Sequence, residues 1–169
     1  MTPVDQKSLE ALAAEVGALL LANGQKLATA ESCTGGWVAQ CLTAIAGSSA
    51  WFERGFVTYS NEAKHEMLSV EFATLNAHGA VSEATAAAMV TGALRQSRAD
   101  WALSITGIAG PDGGSPGKPV GTVCFGWAGP DVSLEVDTRH FTGDRETIRR
   151  QSVEYAIRGI ILRAARLNA

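Results

Sequence analysis

A three-layer α/β/α sandwich around a mixed sheet, including an antiparallel hairpin, is the fold that this 169-residue sequence predicts. Three observations carry the prediction. Helical and extended hydrophobic patterns alternate along most of the chain, as they do where helices cover a sheet. Near the C-terminal end, two extended runs meet at Gly129-Pro130-Asp131 and form a hairpin. Hydrophobic residues make up 46% of the chain, and no repeat or linker divides it, so residues 1–169 are expected to form one domain with its own core.

The elements follow in order. Leu9, Leu12, Val16, Leu19 and Leu20 recur at helical spacing, with Pro3 near the start and Gly24 placed to cap the end. Lys26 to Ala30 reads as a short strand. The turn Glu31-Ser32-Cys33-Thr34-Gly35-Gly36 then opens a helix that runs to about Ala46, where Gly47-Ser48-Ser49 breaks it. Phe52 to Ser60 is extended, rich in the β-formers Phe56, Val57 and Tyr59. Asn61 is expected to cap a short helix carrying Lys64, His65, Met67 and Leu68. Ser82 caps the next helix, striped by Ala86, Met89, Val90, Ala93 and Leu94. Trp101 to Thr106 is a strand that runs straight into a glycine-rich segment. Val120 to Ala128 and Val132 to Phe141 form the hairpin. In its second run Val132, Leu134, Val136 and Thr138 alternate with Ser133, Glu135, Asp137 and Arg139, the mark of a sheet with one wet face. The last helix begins after Gly143 and turns Ile148, Ser152, Tyr155, Ala156, Gly159 and Ile160 inward.

Composition narrows the function. The net charge is -3 and the pI about 5.6, which disfavours broad nucleic-acid binding by a basic surface. Charged residues are only 18% while glycines number 18, a balance that suggests a buried, loop-rich site. No apolar run is long enough to span a bilayer, and Met1-Thr2-Pro3-Val4-Asp5 lacks the basic start of a signal peptide. Cys33, Cys41 and Cys124 are odd in number and widely spaced, as suits reduced thiols in the cytoplasm.

Four constellations could carry chemistry. At residues 31–36 a strand-to-helix turn gathers backbone N–H groups, which stabilise an oxyanion, beside the nucleophile Ser32 or its rival Cys33. A serine that only caps the helix produces the same local pattern. In Thr58-Tyr59-Ser60-Asn61-Glu62-Ala63-Lys64, Lys64 can serve as base if burial lowers its pKa, and Tyr59 can relay the proton or orient the lysine. The bland alternative is a surface lysine and an edge tyrosine. Five glycines between Gly107 and Gly117 exceed what a plain turn needs, so Thr106, Gly107 and Gly110 are candidate ligand contacts. At the last helix, Arg145 and Arg149 lie one turn apart, with Arg150 beside them. Cations at a helix start oppose the dipole unless an anion such as phosphate is bound there. Neutralisation by Asp144 and Glu146 would serve equally well.

Thr29 to Trp37, Gly47 to Lys64, His78 to Ser82, Thr106 to Gly114 with Lys118 to Thr122, and Gly143 to Arg145 with Arg149 to Gln151 resemble, in this fixed order, the CinA C-terminal domain family. The resemblance covers nearly the whole chain. It implies hydrolysis of nicotinamide mononucleotide to nicotinate mononucleotide and ammonia, with no metal or organic cofactor. It implies Ser32 as nucleophile, which breaks the tie with Cys33, with Lys64 as base and Tyr59 beside them. The N–H groups near Thr34, Gly35 and Gly36 are then expected to hold the oxyanion, and Arg145, Arg149 or Arg150 the phosphate. It also implies a homodimer or larger homo-oligomer, in which an arginine can come from a neighbouring subunit. The rival expectations are a non-catalytic nucleotide-binding module and an amidase for another carboxamide or a lactam.

Overall fold

The computed structural model describes residues 4–166, and the expected part of Pro3 in the first helix lies outside them. Helix α1 (Gln6–Ala22) starts at Asp5, whose carboxylate accepts the Ser8 N–H at 2.8 Å and so satisfies a donor with no partner inside the helix. Leu9, Ala13, Val16 and Leu20 form its buried stripe. Just past the end, Gly24 takes φ +62°, and the Gln25 N–H turns back to the Leu20 carbonyl at 2.9 Å.

Strands β1 (Leu27–Glu31), β2 (Phe52–Val57), β3 (Trp101–Gly107), β4 (Thr122–Gly129) and β5 (Val132–His140) make one sheet in the order β2-β1-β3-β4-β5. The first three are parallel, and β4 and β5 are antiparallel to their neighbours. Parallel neighbours require crossovers. Helix α2 (Trp37–Thr43) supplies one, and α3 (Asn61–Leu68), α4 (Phe72–His78) and α5 (Glu83–Arg95) supply the other. The chain closes with α6 (Arg145–Arg166). Helices α1, α2 and α6 cover one face of the sheet, and α3 to α5 gather on the other. The three-layer sandwich with its hairpin is therefore the observed architecture.

Alternation along β3 splits the core between the layers. Trp101, Leu103 and Ile105 join the cluster under α1 and α6, while Ala102 joins Met89, Val90 and Ala93 of α5. Ser104 faces α5 and satisfies its hydroxyl on the Ala86 carbonyl at 2.7 Å.

Three expectations need correction, and one helix escaped the sequence reading. Helix α2 stops at Thr43, not near Ala46, because the Ile45 and Ser48 N–H groups reach back only three residues as the chain approaches Gly47 at φ +82°. The cap of α3 is Ser60, whose hydroxyl accepts the Ala63 N–H at 3.0 Å, so Asn61 is already helical. Helix α4 was not legible, since it has no side-chain cap and buries only Leu75. On β5 the wet and dry sides are reversed. Leu134 and Val136 are 44% and 36% exposed on the α5 side, where α5 meets β5 at Thr138, whose hydroxyl donates to Glu83 at 2.9 Å. Glu135 and Asp137 turn under α6, where Arg163 donates to Glu135 at 2.6 Å and the Tyr155 hydroxyl donates to Asp137. No helix among the described residues is long and apolar enough to cross a membrane.

Candidate active site

The Ser32 N–H donates to the Ile105 carbonyl at 2.9 Å, extending the β1–β3 pairing one residue past β1. Ser32 thus stands at the carboxyl end of a parallel strand, the place where open α/β sheets bind ligands. The chain then turns through Gly35 at φ +61° and Gly36 at φ +98°, conformations that strain any residue with a Cβ.

Glu31 organises this turn from the buried side. One carboxylate oxygen accepts the Thr34 hydroxyl at 2.7 Å and the Val38 N–H at 2.9 Å, and the other accepts the Ala39 N–H at 3.0 Å. Burial pushes the carboxyl above its ordinary range, and these donors pull it back. The start of α2 is thereby satisfied from within. This changes the expected oxyanion donors. The Gly35 N–H is spent on the Ser32 carbonyl at 3.0 Å, and the Gly36 N–H points to Glu31. The N–H groups of Cys33 and Thr34 meet no oxygen acceptor among the described residues.

Lys64 approaches Ser32 from α3. Its Nζ lies 3.0 Å from Ser32 Oγ and 2.8 Å from the Thr58 carbonyl. Thr58 is itself fixed to the sheet by its N–H, which donates to Glu31 O at 2.8 Å. Lys64 is 1% exposed and forms no ion pair among the described residues. Burial without a counter-ion pushes its pKa below the ordinary 10.5. A neutral amine at 3.0 Å can take the serine proton. Cys33 points the other way, into the core under α1 and α6, where burial pushes its thiol up to about 12. A group held as a thiol is a poor nucleophile.

The remaining candidates fall into two sets. Tyr59 is 61% exposed, and its hydroxyl accepts from Arg145 Nη2 at 2.9 Å, while Arg145 Nη1 donates to the Gly110 carbonyl at 2.8 Å. Tyr59 is therefore joined to Arg145 and the glycine loop and makes no hydrogen bond to Ser32 or Lys64. Gly110 fits only without a side chain, since its Cβ would meet Val120 at 2.5 Å. The second set is turned to structural work. The buried Thr106 hydroxyl donates to the Ala80 carbonyl at 2.7 Å. A Cβ on Gly107 would meet Val123 at 2.7 Å, so that glycine serves the β3–β4 pairing. Arg150 donates to the Val4 carbonyl and to Glu146. It lines a cavity of about 300 Å³ with Asp5, Asp144 and Glu146, whose carboxylates would repel a phosphate. Arg149 donates to the carbonyls of Cys33 and Thr34, both at 3.0 Å. Sequence reasoning left out Glu31 as the organiser of the turn, although a carboxylate just before a helix start is a readable signal.

A buried serine–lysine pair at a strand-to-helix turn, in a three-layer α/β/α sandwich, is an arrangement that can supply a nucleophile and an amine base. More particularly, residues 9–163 match the model of the CinA C-terminal domain, and the chain belongs to that family. It is 58% identical over 146 residues to nicotinamide-nucleotide amidohydrolase PncC of Escherichia coli K12, covering 86% of this chain and 88% of that protein. It is 53% identical over 154 residues to the protein of the same name from Enterobacter agglomerans, covering 91% and 94%. Among solved structures it is similar to the competence/damage inducible protein CihA from Agrobacterium tumefaciens, with a TM-score of 0.88, 45% identity, and coverage of 91% and 94%.

Proposed function

We propose that this chain is an amidohydrolase that converts nicotinamide mononucleotide and water to nicotinate mononucleotide and ammonia, with Ser32 as nucleophile and Lys64 as base. The observation that carries the chemistry is the buried Lys64 amine, without a counter-ion, 3.0 Å from Ser32 Oγ. The substrate rests on the close similarity to relatives named for nicotinamide-nucleotide amidohydrolysis.

Neutral Lys64 accepts the Ser32 proton as Oγ attacks the carboxamide carbon. The oxyanion is held by the Cys33 and Thr34 N–H groups, which meet no oxygen acceptor among the described residues. The Lys64 ammonium returns its proton to the departing nitrogen, and ammonia leaves an acyl-Ser32. Lys64 then takes a proton from water as its oxygen attacks the ester, and returns that proton to the departing Ser32 Oγ, freeing the acid, which ionises to the carboxylate. At the mouth, Arg145 meets the phosphate and the exposed Tyr59 ring lies against the pyridinium. In this reading Tyr59 recognises substrate and leaves proton transfer to Lys64.

The test is an ammonia assay with nicotinamide mononucleotide and free nicotinamide as paired substrates. The nucleotide is turned over far faster. Ser32→Ala abolishes release with an unchanged thermal melt, and Cys33→Ala retains it. Undiminished ammonia from Ser32→Ala overturns the serine mechanism. Tight binding of the nucleotide without ammonia overturns the enzymatic assignment.

A further inference from the structure

The sequence places Arg149 among the phosphate-seeking residues, but its guanidinium is occupied elsewhere. Nε donates to the Cys33 carbonyl and Nη2 to the Thr34 carbonyl, both at 3.0 Å. The group lies over the Trp37 ring, 5.3 Å from its centroid, and Trp37 is tied to α1 through Nε1 to Gln6 at 2.9 Å. Arg149 forms no ion pair among the described residues. A charged, two-pronged donor is thus committed to two successive carbonyls of the turn that carries Ser32.

Peptide geometry gives this grip a consequence. A trans peptide is planar, and its C=O and N–H point in opposite directions. Fixing the Cys33 carbonyl on the Arg149 side sends the Thr34 N–H to the other side. Fixing the Thr34 carbonyl does the same to the Gly35 N–H, and that N–H is indeed found on the Ser32 carbonyl at 3.0 Å. Glu31 closes the remaining freedom by taking the Thr34 hydroxyl and the Val38 and Ala39 N–H groups. The Thr34 N–H is left pointing away from Arg149, with no oxygen acceptor among the described residues. Gly35 and Gly36, both at positive φ, would otherwise let these peptides rotate at little cost.

We propose that Arg149 is a positioning residue that locks the Cys33–Thr34 peptide so that the Thr34 N–H faces the reacting carboxamide oxygen. It acts through the backbone and does not bind the phosphate. The inference rests on the amidase reading, with Ser32 as nucleophile. Its signature is therefore a loss in kcat at unchanged KM, because an oxyanion donor acts on the transition state far more than on bound substrate.

The test uses two variants of the full chain. Arg149→Lys keeps the positive charge but cannot grip two carbonyls in one plane. Arg149→Met removes both hydrogen bonds and keeps an unbranched side chain over Trp37. Loss of an oxyanion donor outright costs roughly 100- to 1000-fold in kcat, so a loosened donor is expected to cost about 10- to 100-fold in each variant. KM for nicotinamide mononucleotide stays at the wild-type value, and so does the thermal melt of Arg149→Lys. A crystal structure of Arg149→Met shows the Cys33–Thr34 peptide rotated or in two orientations. A raised KM with kcat preserved makes Arg149 a phosphate ligand and overturns the proposal. So does an unchanged kcat, or a peptide still in the wild-type orientation in Arg149→Met. That last reading needs no substrate, so it decides the inference even if wild-type protein releases no ammonia, a result that would instead sink the amidase reading.

Discussion

On the proposed mechanism, Lys64 is costly to the fold and necessary to the chemistry. Its amine is buried beside a hydroxyl and a carbonyl, with no carboxylate among the described residues to balance a charge. Its pKa is lower in the folded chain than the ordinary 10.5, so between those two values the unfolded chain binds a proton that the folded chain does not. Stability therefore rises with pH through that window, and the penalty is fully present below it. Replacing Lys64 with Met is expected to abolish ammonia release and stabilise the fold at neutral pH by about 1 kcal/mol. The thiols push the other way in alkali, since burial raises Cys33 to about 12 and Cys41 to about 11. The decisive measurement is thus the difference in chemical-denaturation stability between wild type and Lys64→Met across pH 7 to 10. The gap should shrink as pH rises, and a constant gap would mean that Lys64 is charged throughout. On the proposed mechanism the same proton sets the wild-type rate. kcat/KM is expected to rise with pH to a plateau as Lys64 becomes neutral, with an apparent pKa below 10.5.

At the scale of the element, α3 is the arm that delivers the proposed base. Ser60 starts it, and Lys64 follows one turn later, its N–H on the Ser60 carbonyl at 3.1 Å. Ser60→Ala is expected to cost about 1 kcal/mol of stability through the lost cap. It also lowers kcat, because the first turn of α3 sets the reach of Nζ to Ser32. A denaturant titration reads the first effect and steady-state ammonia release the second. Unaltered kcat in a destabilised Ser60→Ala would show that the Thr58 carbonyl alone places the amine. The legible and illegible elements divide on physical grounds. Helices α1, α5 and α6 each bury a long periodic stripe, and strands β3 and β4 are nearly all buried, so their patterns could be read. Helix α4 buries a single side chain and leaves no period. On β5 alternation was visible, but which set faced inward depended on Arg163 and Tyr155 arriving from α6. In the site, Ser32 and Lys64 were readable as residue types. The work of Glu31 and Arg149 was not, because both act on backbone groups that no sequence pattern displays.

Across the whole molecule, α6 couples packing to chemistry. Its N-terminal turns carry Arg145 to Tyr59 and Gly110, and Arg149 to the Ser32 turn. Further along, Gly159 passes so close to β4 that a Cβ there would sit 2.3 Å from the Trp127 ring. Trp127 cannot yield easily, since it is buried, stacks on Phe125 and donates Nε1 to the Ala156 carbonyl at 3.1 Å. The glycine therefore sets how deeply α6 seats on the sheet, and with it the height at which both arginines meet the site. Gly159→Ala is expected to lift the helix, costing about 1–3 kcal/mol as overpacking. It also lowers kcat in the protein that remains folded, since Arg149 can no longer hold both carbonyls at full length. The comparison is ammonia release per folded molecule, with the folded fraction taken from the denaturation curve at the assay temperature. If the variant loses stability but keeps full turnover per folded molecule, the shift is absorbed near Trp127 and the site end of α6 is anchored by its own hydrogen bonds. If turnover falls with stability, the close approach at Gly159 is what holds the catalytic turn in register.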